Sequence, residues 1–188
     1  EQLEVLKTLS ELNPELLKGF DKGGWTPATL AVYFEQLEVL KTLSELNPEL
    51  LKENDKNGWT PATLAAKKGN VEVLKALHEL NAELLTGFNK NGWTPATKAA
   101  QIGNVEVLKA LHELNAELLT GLNKKGWTAA TKAVEFGQFE VLKALHELNA
   151  ELLTGVDKGG WTPATKAVEF EQLEVLKTLS ELNPELLK

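Results

Sequence analysis

Three histidines, five tryptophans and a recurring set of Glu and Lys residues are the side chains with most chemistry to offer in this chain of 188 residues. His78, His112 and His146 are the only histidines and stand 34 residues apart (112 − 78 = 34, 146 − 112 = 34). Read functionally, such a ladder would bind metal or relay protons. Neighbouring helices lie about 8–10 Å apart, whereas zinc ligands sit about 2 Å from one ion, so adjacent copies are poorly placed to share a metal. Ser10, Ser44 and Ser180 fill the same position in other copies. The histidines are therefore read as packing or inter-repeat hydrogen-bonding groups.

Glu72 and Lys75, with equivalents in the other copies, read as a solvated helix face. Carboxylates repeated in one environment lack the difference that separates a general acid from a general base. No Gly-rich phosphate loop, Ser/His/Asp set or H-E-x-x-H segment occurs. The chain reads as a non-enzyme with no cofactor and no metal site.

The tryptophans carry more information. Trp25, Trp59, Trp93, Trp127 and Trp161 keep the same 34-residue spacing, each within a segment of the type Gly92-Trp93-Thr94-Pro95-Ala96-Thr97. Aromatic residues supply much of the energy at interface centres, so stacked indoles would make a binding stripe. The competing reading is that each Trp packs over a neighbouring loop and staples the stack, which its presence in every copy favours.

A fixed period of this length is that of a stacked solenoid, whose units bury their apolar faces against one another. Residues 1–18 are a half unit, repeated letter for letter at 35–52 and 171–188. Full units are assigned at 19–52, 53–86, 87–120, 121–154 and 155–188, together one repeat domain over 1–188. Thr60 can cap a short helix over Pro61 to Lys68, where proline at the first position sacrifices no hydrogen bond. Gly69 is expected to end it in a left-handed conformation and Asn70 to cap the next helix. There Val71, Val73, Leu74, Leu77 and Leu80 form an apolar stripe of about three turns. Asn81-Ala82-Glu83-Leu84-Leu85 predicts one further helical turn, closed by Gly87, before a polar turn over Asn89 to Gly92. No stretch alternates at strand spacing, so the fold is predicted all-α.

Twenty lysines and no arginine against 27 acidic residues leave a net charge of −7. That balance argues against nucleic acid and anionic membranes as partners. Cys is absent, excluding disulfides and thiolate chemistry. No apolar run approaches the roughly 18 residues of a membrane span and no signal-peptide pattern opens the chain, so the default location is cytoplasmic. Met is absent even at position 1, and residue 1 is read as other than the natural start.

The segment Gly92-Trp93-Thr94-Pro95-Ala96-Thr97-Lys98-Ala99-Ala100-Gln101-Ile102-Gly103-Asn104-Val105-Glu106-Val107-Leu108-Lys109 closely resembles the ankyrin repeat, G-x-T-P-L-H-x-A-A-x-x-G-x-x-E-V-V-K. The resemblance covers every full unit. A tetratricopeptide array, which shares the period, needs two helices of similar length, and the first helix here is too short. The ankyrin unit is about 33 residues, and the extra residue falls between Ala82 and Gly92, where reduced or absent hairpin fingers are expected. The family's T-P-L-H reads Thr-Pro-Ala-Thr, so Thr29, Thr63, Thr97, Thr131 and Thr165 must replace the histidine's hydrogen bonds or forfeit them. Unit four reads Thr128-Ala129, without proline. Glu35 and Glu171 replace the inter-helix Gly, at a cost of about 1 kcal/mol if left-handed, or with a remodelled turn.

The resemblance implies a protein-binding module with a concave face. Its positions map to Trp25, Trp59, Trp93, Trp127 and Trp161; to Leu30, Leu64, Lys98, Lys132 and Lys166; and to the pairs Tyr33/Phe34, Lys67/Lys68, Gln101/Ile102, Glu135/Phe136 and Glu169/Phe170. Those pairs are among the positions that vary most between copies, as in a surface graded for a partner. The tryptophans and pairs are the candidate binding residues. Near-identical copies and the absence of Arg, Met and Cys point to an engineered or consensus-like scaffold rather than recent duplication. The alternative function is head-to-tail self-assembly through the matching terminal segments. Thr8, Ser10, Thr178 and Ser180, polar where inner copies have Ala and His, act against it as mild caps.

Overall fold

The computed structural model describes residues 4, 5, 7, 8, 11 and 13–188. The predicted half repeat is thus described in part; Ser10, weighed above as a cap, lies outside the described residues. The chain packs as two compact units, Glu1–Asn91 and Gly92–Lys188.

In the first unit a short 3-10 helix over Pro14–Lys18 precedes α1 (Pro27–Tyr33), α2 (Leu37–Leu46), α3 (Pro61–Lys68) and α4 (Val71–Leu80). The second unit holds α5 (Pro95–Ile102), α6 (Val105–Leu114), α7 (Ala129–Glu135), α8 (Phe139–Leu148), α9 (Pro163–Glu169) and α10 (Leu173–Leu182). Each longer helix is followed by one 3-10 turn, as at Ala82–Leu85 and Ala116–Leu119. The described residues contain no strand. In the first unit α1 packs on α3 and α2 on α4; in the second, α5, α7 and α9 form one layer and α6, α8 and α10 another.

The short helices start where threonine side chains bind their own first turn. Thr60 Oγ1 accepts from Thr63 N–H at 3.3 Å, while Thr63 Oγ1 accepts from Thr60 N–H at 3.1 Å. This reciprocal box, with Thr in place of the usual Glu or Gln, satisfies two otherwise orphaned N–H groups. It recurs at Thr26/Thr29, Thr94/Thr97 and Thr128/Thr131. The threonines at the family's histidine position thus make hydrogen bonds of their own, to the Thr that caps the same helix. Helix α7 begins at Ala129 without proline because its cap is intact.

Small residues let the short helices approach closely: Ala65, Ala66, Ala99, Ala100 and Ala133 are fully buried. Helix α4 buries Val73, Leu74 and Leu77 and leaves Val71 and Leu80 half-buried; α6 and α8 bury the same three positions, whereas Val39 in α2 and Leu176 in α10 are half-buried. A buried Leu contributes about 1.5–3 kcal/mol, and truncating Leu74 to Ala would cost about 2–5 kcal/mol.

Gly69 and Gly103 end their helices at φ 78° and 80°. Glu35 and Glu171 hold the same left-handed region, at φ 58° and 54°, so these turns keep the ankyrin-like geometry and its strain. Gly87 does not close its turn as expected. The cap there is Thr86, right-handed at φ −90°. The corresponding Gly19 is extended, a conformation open to any residue, as Glu53 at that position illustrates.

The turns before Trp25, Trp59, Trp127 and Trp161 are closed rings. Asp55 N–H donates to the Trp59 carbonyl at 2.9 Å, and Asp55 Oδ1 accepts from the Trp59 N–H at 2.9 Å. Consecutive turns are joined by single backbone bonds, Lys56 N–H to Gly24 O in the first unit, and Lys124 N–H to Gly92 O and Lys158 N–H to Gly126 O in the second.

Candidate functional site

The closed turns lead into the tryptophans, and the predicted pairs lie at the ends of the short helices. Trp25, Trp59, Trp93 and Trp127 are half-buried, and Trp161 is 41% exposed. Tyr33, Phe34, Lys67, Lys68, Ile102, Phe136 and Glu169 are exposed; Gln101, Glu135 and Phe170 are half-buried.

In the second unit the rings alternate with lysines. Lys132 is only 3% exposed, and its Nζ lies 4.6 Å from the Trp93 ring centroid and 4.3 Å from that of Trp127. Lys166, 5% exposed, places Nζ 4.9 Å from both Trp127 and Trp161. Lys98 Nζ is 5.3 Å from Trp93 and donates to Gln101 Oε1 at 2.7 Å. The result is a ladder of indole, ammonium, indole, ammonium and indole.

Each contact of this type is worth about 0.5–1 kcal/mol when exposed and about 2 kcal/mol when desolvated. One turn along their helices, Glu135 and Glu169 pair with Lys132 and Lys166, so the buried cations are neutralised from within the chain. Burial pushes the Lys132 ammonium below its ordinary value of 10.5, although Glu135 acts in the opposite direction. Phe136 meets Lys132 at 5.4 Å, and Phe170 lies 5.9 Å from Trp127.

The first unit builds the face differently, because Leu30 and Leu64 occupy the ladder-lysine position. Trp25 and Tyr33 rings pack at 5.1 Å, and Tyr33 meets Phe34 edge-on at 5.2 Å. Lys68 Nζ lies 3.8 Å from the Tyr33 ring centroid, and Lys67 Nζ lies 4.5 Å from that of Trp59.

The tryptophans are thus both packed and reachable: Trp59, Trp93, Trp127 and Trp161 are held by cations and Trp25 by Tyr33, and all five are still partly open. The sequence placed Lys132 and Lys166 near this face without distinguishing them from Lys98. It missed a second apolar row: Phe20 and Phe88 in the first unit, Leu122 and Val156 in the second, all exposed. Phe88 lines a groove of about 410 Å³ with Leu51, Lys52, Glu83 and Leu84. Its signal was an apolar residue at that position in four of five copies, Asn54 being the exception, immediately before the stretch read as a polar turn.

His78, His112 and His146 are half-buried. His112 borders a small cavity of about 190 Å³ with Glu117 and Asn149. Among the described residues no group of three His, Cys, Asp or Glu side chains is placed to hold a metal. Glu72 and Lys75 form an exposed ion pair at 3.2 Å.

A family model described as ankyrin repeats (3 copies) matches residues 47–121 and 117–187. The chain belongs to the ankyrin repeat family. Its fold is similar to the crystal structure of the ankyrin repeat domain of Bcl-3, described as a unique member of the IkappaB protein family, with a TM-score of 0.69 and 26% sequence identity. That match covers 85% of this chain and 72% of the other. No curated protein matches the chain in sequence. Ankyrin repeats are generally protein–protein interaction modules and typically non-catalytic. In this ankyrin repeat protein no helix among the described residues is long and apolar enough to cross a membrane.

Proposed function

We propose that this ankyrin repeat protein is a non-catalytic module that binds a protein partner through its concave face, the side carrying the tryptophans and the variable pairs. The observation that carries the reading is that each unit exposes rings at the variable pairs, Tyr33 and Phe34 in the first and Phe136 in the second, on a nearly constant scaffold. Rigid aromatic groups bind at low entropic cost.

Selection from a random peptide library, followed by affinity measurement on two variants, tests it. Selected peptides should lose on the order of tenfold or more in affinity on Phe34→Ala/Phe136→Ala and retain it on Glu79→Lys/Glu113→Lys, which alters the longer helices. The reverse pattern would sink the proposal.

A second reading, head-to-tail self-association, is favoured by one contrast. Val168 is 64% exposed, whereas Val134, one repeat earlier, is fully buried. Molar mass by light scattering across a wide concentration range decides it: a constant mass near 20.6 kDa removes the reading, and a mass that climbs supports it.

A further inference from the structure

The two units differ in how lysines that lie against rings are neutralised. In the second, the lysines against the rings are answered by Glu135 and Glu169. In both units the lysines of the longer helices are answered by carboxylates three residues earlier, Lys41 by Glu38 at 2.8 Å and Lys75 by Glu72 at 3.2 Å in the first, Lys109 by Glu106 at 3.2 Å and Lys143 by Glu140 at 2.9 Å in the second. Lys67 and Lys68, exposed in the last turn of α3, have no carboxylate within 4.0 Å among the described residues and rest on Trp59 and Tyr33 instead. The second unit's rings thus hold two buried cations neutralised by its own chain, Lys132 and Lys166, and the first unit's rings hold two exposed cations that are not, Lys67 and Lys68.

We propose that the patch formed by Trp25, Tyr33, Phe34, Trp59, Lys67 and Lys68 takes an acidic peptide segment that carries an apolar or aromatic anchor. This rests on the face reading above and names the class of partner.

The chemistry favours that occupant. Each ammonium is seated on a ring on one side and open to solvent on the other, so a carboxylate approaches without displacing an existing partner. The ring contacts restrict long side chains that otherwise lose up to about 2 kcal/mol of rotamer entropy on binding. Phe34 at 60% exposure, and Tyr33 beside it, offer an apolar surface next to the two charges. A nucleic acid is a poor match because the whole chain bears −7, whereas a short acidic segment engages the lysines locally. The bland alternative is that Lys67 and Lys68 only complement the α3 C-terminus. Their removal would then lower stability and leave binding unchanged.

The test is fluorescence anisotropy with a labelled peptide of glutamates flanking a Leu-Phe pair, and with its counterpart in which lysines replace the glutamates. The acidic peptide should bind about tenfold or more tightly than the basic one. Lys67→Glu/Lys68→Glu should abolish that preference, Lys67→Arg/Lys68→Arg should keep it, and Lys124→Glu/Lys158→Glu in the other unit should leave it intact. Thermal melts of each variant establish that the fold is kept. No binding of the acidic peptide up to about 1 mM, equal affinity for the two peptides, or indifference to Lys67→Glu/Lys68→Glu overturns the proposal. Library-selected peptides that depend on Phe136 and Ile102 but not on Lys67 and Lys68 would overturn it and leave the face reading standing. Peptides indifferent to both sets would remove both.

Discussion

The Asn89 side-chain amide donates to the Thr63 hydroxyl at 3.2 Å, and Asp55, at the same place one repeat earlier, has nothing to donate. Both side chains are buried, at 2% exposure. Asp55 uses Oδ1 to accept the Trp59 N–H and leaves Oδ2 buried without a hydrogen-bond partner. The Thr29 hydroxyl, equivalent to Thr63, donates to the Thr26 carbonyl and can still accept.

Asp55→Asn is therefore expected to stabilise the protein. It would convert an orphaned acceptor into a donor facing Thr29, a change of about 1–2 kcal/mol. Thermal melts should show a rise of a few degrees; a fall would mean that Oδ2 is satisfied in solution.

The left-handed glutamates predict a second gain. Glu35→Gly and Glu171→Gly should each stabilise by about 0.5–1 kcal/mol, and Gly137→Glu, at φ 61°, should cost a similar amount. Urea titrations of the three variants would decide. Loss of stability in both glycine variants would mean that unfolded-chain entropy outweighs the backbone strain.

The threonine boxes are not equal. Thr63 is fully buried and its box is reciprocal, whereas Thr165 is exposed and returns no bond to the Thr162 N–H. Thr63→Ala should cost about 1–2 kcal/mol and Thr165→Ala clearly less. Equal losses in chemical denaturation would show that propensity, not the buried box, sets the cost.

Lys132 predicts a pH dependence. Its folded-state pKa lies below the 10.5 of the unfolded chain because burial penalises the charge. Below the folded value both states are protonated and the penalty is present in full; it fades as pH rises toward 10.5. The melting temperature of the wild type relative to Lys132→Met should therefore shift in the wild type's favour as the pH is raised from neutral toward 10.5. A shift the other way would mean that Glu135 dominates over burial.

Much of the fold was legible because its signals are local. Thr60 and Pro61 set a helix start, Gly69 and Asn70 a stop and a restart, and Asn81 the following 3-10 turn, all within a few residues. The failed closure at Gly87 has the same local origin: glycine permits a left-handed turn without requiring one, and Thr86 already caps the segment. The candidate face was legible as positions and not as contacts. The row at Phe20, Phe88, Leu122 and Val156 escaped because these residues lie in turns whose neighbours are polar.

By itself the sequence determined the period, the helix boundaries, the all-α class and the family, since each depends on residues close in the chain or on copies compared with one another. Tertiary structure decided which cation meets which ring. Lys98 and Lys132 stand at equivalent positions, yet Lys98 is half-buried while Lys132 lies buried between Trp93 and Trp127. That difference arises from the packing of α7 on α5 and from the reach of a flexible side chain across a repeat boundary. Likewise, Asp55 and Asn89 differ by one atom type, and their environments decide that one is orphaned and the other bonded.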